Sequence, residues 1–161
     1  MMEFSIGWVL SLIRRARLRE ITEELWEEYL TARLDVLLPQ GDRVELRDCG
    51  TEYFGARSAV VLTAWNPMGE EVDLEENERK NAELAMDLAA LSVDFLPCIG
   101  SSADTSYREA GFIAFDLDEE LAIGLLRKYR QLGYYFALGR TIECRLSDSD
   151  EKREVKEIST R

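Results

Sequence analysis

Hydrophobic and polar positions form blocks along the chain that predict separate helices and strands. Residues 22–32 predict a helix because Thr22 can cap its amino end and acidic residues follow in the first turn. Two strand-like runs come next, at residues 34–38 and 43–47, with the turn-forming sequence Pro-Gln-Gly-Asp between them. We expect these two runs to pair as a β-hairpin.

The middle of the chain predicts a buried strand, a long helix and a second buried strand. Residues 58–65 form a continuous apolar and β-branched run, and Asn66 with Pro67 ends it. Residues 74–91 have the clearest helical periodicity, and residues 93–99 read as another buried strand. Both runs are predominantly apolar, which is typical of strands at the centre of a sheet.

The last part of the core predicts a strand, a helix and two further strands. A polar loop is followed by a strand at residues 112–115, and Asp118 caps an amphipathic helix. Strands are predicted at residues 134–138 and 141–146. From residue 58 to 138 the order of elements is that of a split βαβ, or ferredoxin-like, sandwich with two helices on one face of a mixed sheet. We therefore predict an α+β fold of this kind with an added N-terminal helix and β-hairpin.

Composition indicates one packed domain with an acidic surface. The 161 residues include 20 Lys+Arg and 32 Asp+Glu, which gives a net charge of -12, and 46% are hydrophobic. This charge argues against direct nucleic-acid binding, and the apolar share is sufficient for a core. No linker divides the chain, so we predict a single domain over residues 20–146, followed by a charged and disordered tail at residues 147–161.

Histidine is absent, and this excludes His-dependent catalytic triads and His-ligated metals. The cysteines, Cys49, Cys98 and Cys144, are odd in number and form no CxxC pair. This spacing argues against both a disulfide framework and a zinc site. We therefore expect a cytoplasmic protein that binds no metal and no cofactor.

The amino-terminal residues 1–19 are predicted to be a separate apolar and basic arm. Their apolar run is too short to span a bilayer, and the arginines follow it instead of preceding it, unlike a signal peptide. We expect the arm to contact a protein partner or a second copy of the chain through Trp8, Arg14 and Arg15. An arm of this composition can also lie on an anionic membrane surface. Packing of the arm on its own domain or across a dimer interface is the alternative.

Two asparagines interrupt the apolar stripe of the long predicted helix. Asn77 and Asn81 are four residues apart and lie on the same face as Leu88. A buried amide needs hydrogen-bond partners because an unpaired one costs about 1–3 kcal/mol. Either the two amides bond to the irregular backbone after Pro67, or they line a pocket.

Further polar residues are predicted to meet these asparagines at one corner of the sheet. Thr63 and Asn66 end the first buried strand, beside the start of the helix that follows, where ligands commonly bind. The loop after the second buried strand can bring Arg108 and Glu109 to the same corner. We therefore predict a site for a small polar ligand that consists of Thr63, Asn66, Asn77, Asn81, Arg108 and Glu109.

Several of these residues belong to an ordered set of short motifs. The set consists of Thr63-Ala-Trp-Asn-Pro67, Glu76-Asn77 with Asn81, Gly100, and Tyr107-Arg-Glu109. It resembles the motifs TAxNP, ENxxxN, Gly and aromatic-x-Glu of a family of bacterial proteins described as a domain of unknown function. The resemblance covers roughly residues 29–146 and implies characteristic polar positions without implying an activity. The chain departs from the pattern at Tyr107, where tryptophan is commoner, and in its N-terminal extension.

Asparagine amides bind ligands without titrating, so the predicted site favours a non-catalytic module that binds a ligand or another protein. The first alternative is a small enzyme that uses Glu109 as a general base in an Asn-lined pocket. The second alternative is an acidic inhibitor or adaptor that docks on a basic macromolecular partner.

Overall fold

The computed structural model describes residues 22–155. Within this range the helices are α1 (Glu23–Leu30), α2 (Leu46–Cys49), α3 (Leu74–Ala90) and α4 (Glu119–Lys128), and short 3-10 helices occur at Thr51–Phe54 and Pro67–Gly69. The strands are β1 (Arg33–Leu37), β2 (Arg43–Glu45), β3 (Ala59–Leu62), β4 (Asp94–Ser101), β5 (Arg108–Phe115), β6 (Gly133–Leu138), β7 (Thr141–Leu146) and β8 (Lys152–Glu154).

The described strands form one sheet in the order β2-β1-β4-β5-β3-β6-β7-β8. Every neighbouring pair is antiparallel. The predicted mixture of helices and sheet is confirmed, whereas the prediction of a mixed sheet is wrong. Strands β3 and β4 are joined by α3 and both are antiparallel to β5, but β5 lies between them, so no two parallel strands are neighbours.

The two faces of the sheet are covered by different helices. Leu88 of α3 and Leu126 of α4 pack with Val60 in one hydrophobic cluster. Trp26 of α1 packs with Val61 in the other cluster, together with residues of β1 and β7. Val60 and Val61 are consecutive in β3, and side chains alternate between the faces of a strand. A continuously apolar strand is therefore required at this position, as the sequence predicts.

The predicted N-terminal elements are present with one unpredicted addition. Thr22 Oγ1 accepts a hydrogen bond of 3.2 Å from the Leu25 backbone N–H, which starts α1. The β1–β2 hairpin is confirmed, but β2 ends early because the Glu45 side chain accepts a hydrogen bond from the Arg47 backbone N–H. This contact caps α2, which the hydrophobic pattern does not predict.

The β4–β5 hairpin is longer than predicted. Its last pairs join Gly100 to Glu109 and Ser101 to Arg108, so β5 begins four residues before the predicted strand. Arg108 and Glu109 therefore lie on a strand, where consecutive side chains face opposite sides of the sheet.

The carboxyl-terminal prediction is wrong for part of its range. Residues 152–154 form β8, which pairs with β7, and Val155 is buried in the core on the α1 side, so this segment is not a disordered tail. Across residues 22–155 the structure contains no helix with the length and hydrophobicity that a membrane crossing needs. Outside the described residues lie the predicted arm at residues 1–19, with Trp8, Arg14 and Arg15, and residues 156–161.

Candidate functional site

A cavity of about 80 Å³ lies on the α1 side of the sheet, near the end of β3 and the beginnings of β5 and β6. Its apolar lining includes Leu34, Val61, Cys98, Leu132 and Cys144. Its polar lining includes Tyr29, Thr63, Asn66, Tyr107, Glu109 and Tyr135. A volume of this size has room for a few water molecules or one small organic group.

Glu109 supplies the charge of this cavity, because the other described lining residues include no carboxylate, lysine or arginine. Its Oε2 accepts a hydrogen bond of 2.7 Å from Tyr107 Oη, whereas Oε1 has no hydrogen-bond partner within residues 22–155. Burial raises the pKa of the Glu109 carboxyl to about 7, against the lowering effect of the Tyr107 bond. At neutral pH the Glu109 carboxyl is therefore protonated in some molecules and ionised in others.

A series of hydrogen bonds connects Glu109 to α3. Tyr107 Oη accepts a bond of 3.0 Å from Asn66 Nδ2, and Asn66 Oδ1 accepts one of 2.9 Å from Asn77 Nδ2. The Asn77 Oδ1 in turn accepts a bond of 2.8 Å from the Asn66 backbone N–H. Asn66 and Asn77 thus bind each other in both directions, and their amides position Tyr107.

Asn66 occupies a turn that few residues tolerate. Its backbone is left-handed, with φ 46° and ψ 70°, a conformation that asparagine adopts more readily than most other residues. Its Oδ1 also accepts a hydrogen bond from the Val72 backbone N–H at 3.2 Å. The side chain therefore holds together the turn between β3 and α3.

Thr63 and Asn81 bond to the backbone around the same turn. Asn81 Oδ1 accepts a hydrogen bond of 3.2 Å from the Ala64 N–H. Thr63 Oγ1 accepts one of 3.0 Å from the Trp65 N–H and donates one of 2.5 Å to the Ala110 carbonyl oxygen. Asn77 and Asn81 therefore both bond to irregular backbone, as the first of their two alternatives has it, although that backbone precedes Pro67 instead of following it.

An open groove lies on the other side of Asn66 and Tyr107, and both residues line it as well as the cavity. Arg108 and Asn77 also line this groove. Arg108 has no ion pair with any described residue. The predicted corner is therefore divided, because Glu109 faces the cavity, Arg108 faces the groove, and Asn81 lines neither.

Two tyrosines that the sequence analysis did not single out complete the surroundings of Glu109. Tyr29 belongs to α1 and Tyr135 to β6, and Tyr135 Oη donates a hydrogen bond of 2.8 Å to the Tyr29 carbonyl oxygen. Burial raises the pKa of both phenols well above the usual range, and the charge of Glu109 adds to this effect. Nothing in the local sequence indicates this contact, since the two residues are far apart in the chain.

The thiols at the cavity are neutral. Burial raises the pKa of Cys98 and of Cys144 well above the usual range for a thiol. Free Cys49 lies elsewhere and is half-buried. Within residues 22–155 no group of three or more acidic or cysteine side chains is arranged to hold a metal ion.

The chain was compared with known proteins at the level of families, curated proteins and solved structures. No curated protein matches it, and no solved structure does. Residues 62–133 match the model of a family described as "Protein of unknown function (DUF3293)". The matched range extends from the end of β3 to the beginning of β6 and includes Asn66, Asn77 and Glu109. The expected resemblance to a domain-of-unknown-function family is thereby confirmed over residues 62–133.

Proposed function

We propose that the chain is a non-catalytic binding module whose small ligand occupies the cavity beside Glu109. The observation that carries this proposal is the Oε1 atom of Glu109, which belongs to a residue of the cavity lining and has no partner among the described residues. A carboxylate oxygen without a hydrogen bond is unfavourable in such surroundings. A ligand that donates a hydrogen bond there would satisfy it.

The other predicted site residues support the cavity indirectly. Asn66 and Asn77 position Tyr107, and Tyr107 positions the carboxylate. Thr63 and Asn81 fix the backbone at the end of β3. In this proposal Glu109 and the neighbouring tyrosines contact the ligand directly, whereas the asparagine amides position these side chains.

A small enzyme with Glu109 as general base is the second candidate function. Its favouring observation is the pKa of about 7, because a general base is most effective when its pKa lies near the working pH. The cavity thiols are protonated and the other described lining residues include no second carboxyl, so neither a thiolate nucleophile nor a paired acid accompanies Glu109. This composition favours binding over catalysis.

The finer fold assignment is also a proposal. The central strands have the order β4-β5-β3-β6, with α3 between β3 and β4 and α4 between β5 and β6. This order supports a split βαβ, ferredoxin-like sandwich, extended by β1 and β2 on one side and by β7 and β8 on the other. The cytoplasmic location, the partner contact through the arm and the adaptor alternative stay predictions from the sequence.

An NMR screen with fragments of a few heavy atoms tests the ligand site. We expect some fragments to shift the signals of Tyr29, Tyr107 and Tyr135, and we expect Glu109→Gln to abolish these shifts. Arg108→Gln is the matched control, because it removes the neighbouring charge on the groove side and leaves the cavity lining intact. If no fragment moves the cavity signals of the folded wild-type protein, the proposed function is wrong.

A further inference from the structure

The charge around the cavity favours a cationic ligand over an anionic one. The titratable groups that line the cavity with Glu109 include Tyr29 of α1, Cys98 of β4, Tyr107 directly before β5, Tyr135 of β6 and Cys144 of β7. These phenols and thiols are all neutral in their protonated forms. The positive charge of Arg47 acts on Tyr135, whose pKa it lowers slightly against the effect of burial. Arg47 is not part of the cavity lining, and it donates hydrogen bonds to the Thr31 and Ala32 carbonyl oxygens at 3.1 and 3.0 Å.

Two free hydrogen-bond acceptors of the cavity residues are available to the three donors of a primary ammonium group. Glu109 Oε1 and Tyr29 Oη belong to cavity residues and have no hydrogen-bond partner among the described residues. An ammonium group has three N–H donors and no acceptor. The cavity lining also includes tyrosine rings, and the face of an aromatic ring attracts a cation.

The remainder of the cavity limits the size and polarity of the ligand. Leu34, Val61 and Cys98 form an apolar wall, and the volume of about 80 Å³ admits only a short carbon chain. Burying an ammonium group is unfavourable unless an anion accompanies it, and the ionised carboxylate supplies that anion.

We infer that the cavity binds a small alkylammonium ion whose ammonium group pairs with Glu109 and whose carbon chain contacts Leu34 and Val61. This inference rests on the proposed function and names the class of ligand for it. Pairing requires the ionised carboxylate, so binding of the ammonium ion displaces a proton wherever Glu109 is protonated. Near pH 7 about half a proton is released for each ligand bound. The number of protons released approaches one below about pH 6 and falls to zero above about pH 8.

Isobutylammonium and isobutyl alcohol provide a matched pair of probes, because they have nearly the same shape and differ in charge. Isothermal titration calorimetry in two buffers of different ionisation enthalpy measures affinity and proton release together. We expect the ammonium ion to bind the wild-type protein at least about tenfold more tightly than the alcohol. Glu109→Gln should remove this preference, Tyr29→Phe should weaken it severalfold, and Arg108→Gln should preserve it.

The outcomes separate this inference from the proposed function. Equal or tighter binding of the alcohol would contradict the ammonium assignment and would still support a ligand site beside Glu109. Ammonium binding that persists unchanged in folded Glu109→Gln would place the cation elsewhere and overturn the inference. If neither probe binds, the inference also fails, and the fragment screen decides the proposed function separately.

Discussion

The hydroxyl of Tyr107 has one hydrogen to donate, and this sets the direction of the hydrogen bonds around it. Because that hydrogen goes to Glu109 Oε2, the Tyr107 oxygen must act as an acceptor toward Asn66. The Asn66 amide therefore turns Nδ2 toward Tyr107 and Oδ1 toward Asn77 and Val72. The orientation of two buried amides depends in this way on one phenolic hydrogen.

Tyr107→Phe tests this dependence. The substitution removes the hydrogen bond that lowers the pKa of Glu109, so we expect this pKa to rise above about 7 in an NMR titration of the carboxyl. It also leaves Asn66 Nδ2 without an acceptor, at a cost of about 1–3 kcal/mol in the free energy of unfolding. The control is Tyr53→Phe at an exposed tyrosine, which should change neither quantity. A lower Glu109 pKa in the Tyr107 variant would contradict the arrangement.

Glu109 also makes folding stability depend on pH. Its pKa is raised from 4.5 to about 7, so between these values the folded state retains a proton that the unfolded state has released. The stability from this group is complete below about pH 4.5, and up to about 3 kcal/mol is lost as the pH rises to about 7 and above. Glu109→Gln should remove this loss, because glutamine does not ionise.

The measurement is urea denaturation of the wild-type protein and of Glu109→Gln across this range. The free energy of unfolding of the variant, relative to wild type, should increase by up to about 3 kcal/mol between pH 4.5 and about pH 8. The difference in free energy of unfolding between the two proteins cancels the contribution of the other carboxylates, because both proteins contain them. A difference that stays constant with pH would show that Glu109 titrates normally in the folded state.

At the scale of elements, β3 and β5 approach each other closely at Gly111. A Cβ atom at this position would lie 2.4 Å from the Leu62 carbonyl oxygen and 3.0 Å from Thr63 Cβ. We expect Gly111→Ala to lower the free energy of unfolding by about 1–3 kcal/mol, since backbone must move to accept the methyl group. Gly124→Ala in α4 is the matched control.

Gly124 has open space around its Cβ position and lies in the interior of a helix. Alanine there should raise the free energy of unfolding by about 0.5–1 kcal/mol, because glycine is a poor helix former. Thermal or urea denaturation of both variants measures the two opposite effects. A Gly111→Ala protein as stable as wild type would mean that the strands can separate at this point without cost.

Elements with a strong pattern were predictable from sequence. The helical period of α3 and the β-branched run of β3 each identify their element directly, because packing on one or both faces produced those patterns. The beginning of β5 was missed because it carries Arg108 and Glu109 in place of apolar residues. On the face of β5 that lines the cavity the residue is Glu109 instead of an apolar one. The alternation of apolar and polar residues that indicates a strand is therefore absent there.

The candidate site was predictable only in part, for a similar reason. Asn77 was found because a polar residue on a buried helix face needs hydrogen-bond partners, and Asn66 because it ends a buried strand. The two are joined in the structure. Tyr29 and Tyr135 were missed because tyrosine is unremarkable in an apolar segment. Their contact depends on how α1 covers the sheet, which no short stretch of sequence reveals.

At the scale of the whole molecule, the net charge of -12 opposes folding. Exposed ion pairs such as Arg57 with Asp94 and Asp116 offset little of this repulsion, since solvent screens them. Added salt shortens the screening length from about 20 Å at about 20 mM to about 6 Å at about 300 mM. We therefore expect the thermal midpoint to rise by a few degrees over this range of sodium chloride.

Scanning calorimetry at several salt concentrations measures this effect, and a neutral osmolyte at matched osmolarity separates screening from solvent exclusion. The midpoint would fall with added salt if surface ion pairs contributed more to stability than the net repulsion removes. In that case attraction within the surface ion pairs would outweigh the repulsion that comes from the net negative charge.

Tyr107, Glu109 and Gly111 line the cavity, and Arg108, between the first two, lines the groove. A shift of one residue in the pairing of β5 would exchange these sides and put a guanidinium where the carboxylate now lies. The number of residues in the turn between Ser101 and Arg108 determines that pairing. Single-residue insertions and deletions in this turn are therefore more disruptive than substitutions, because the sign of the charge offered to a ligand depends on the length of a loop.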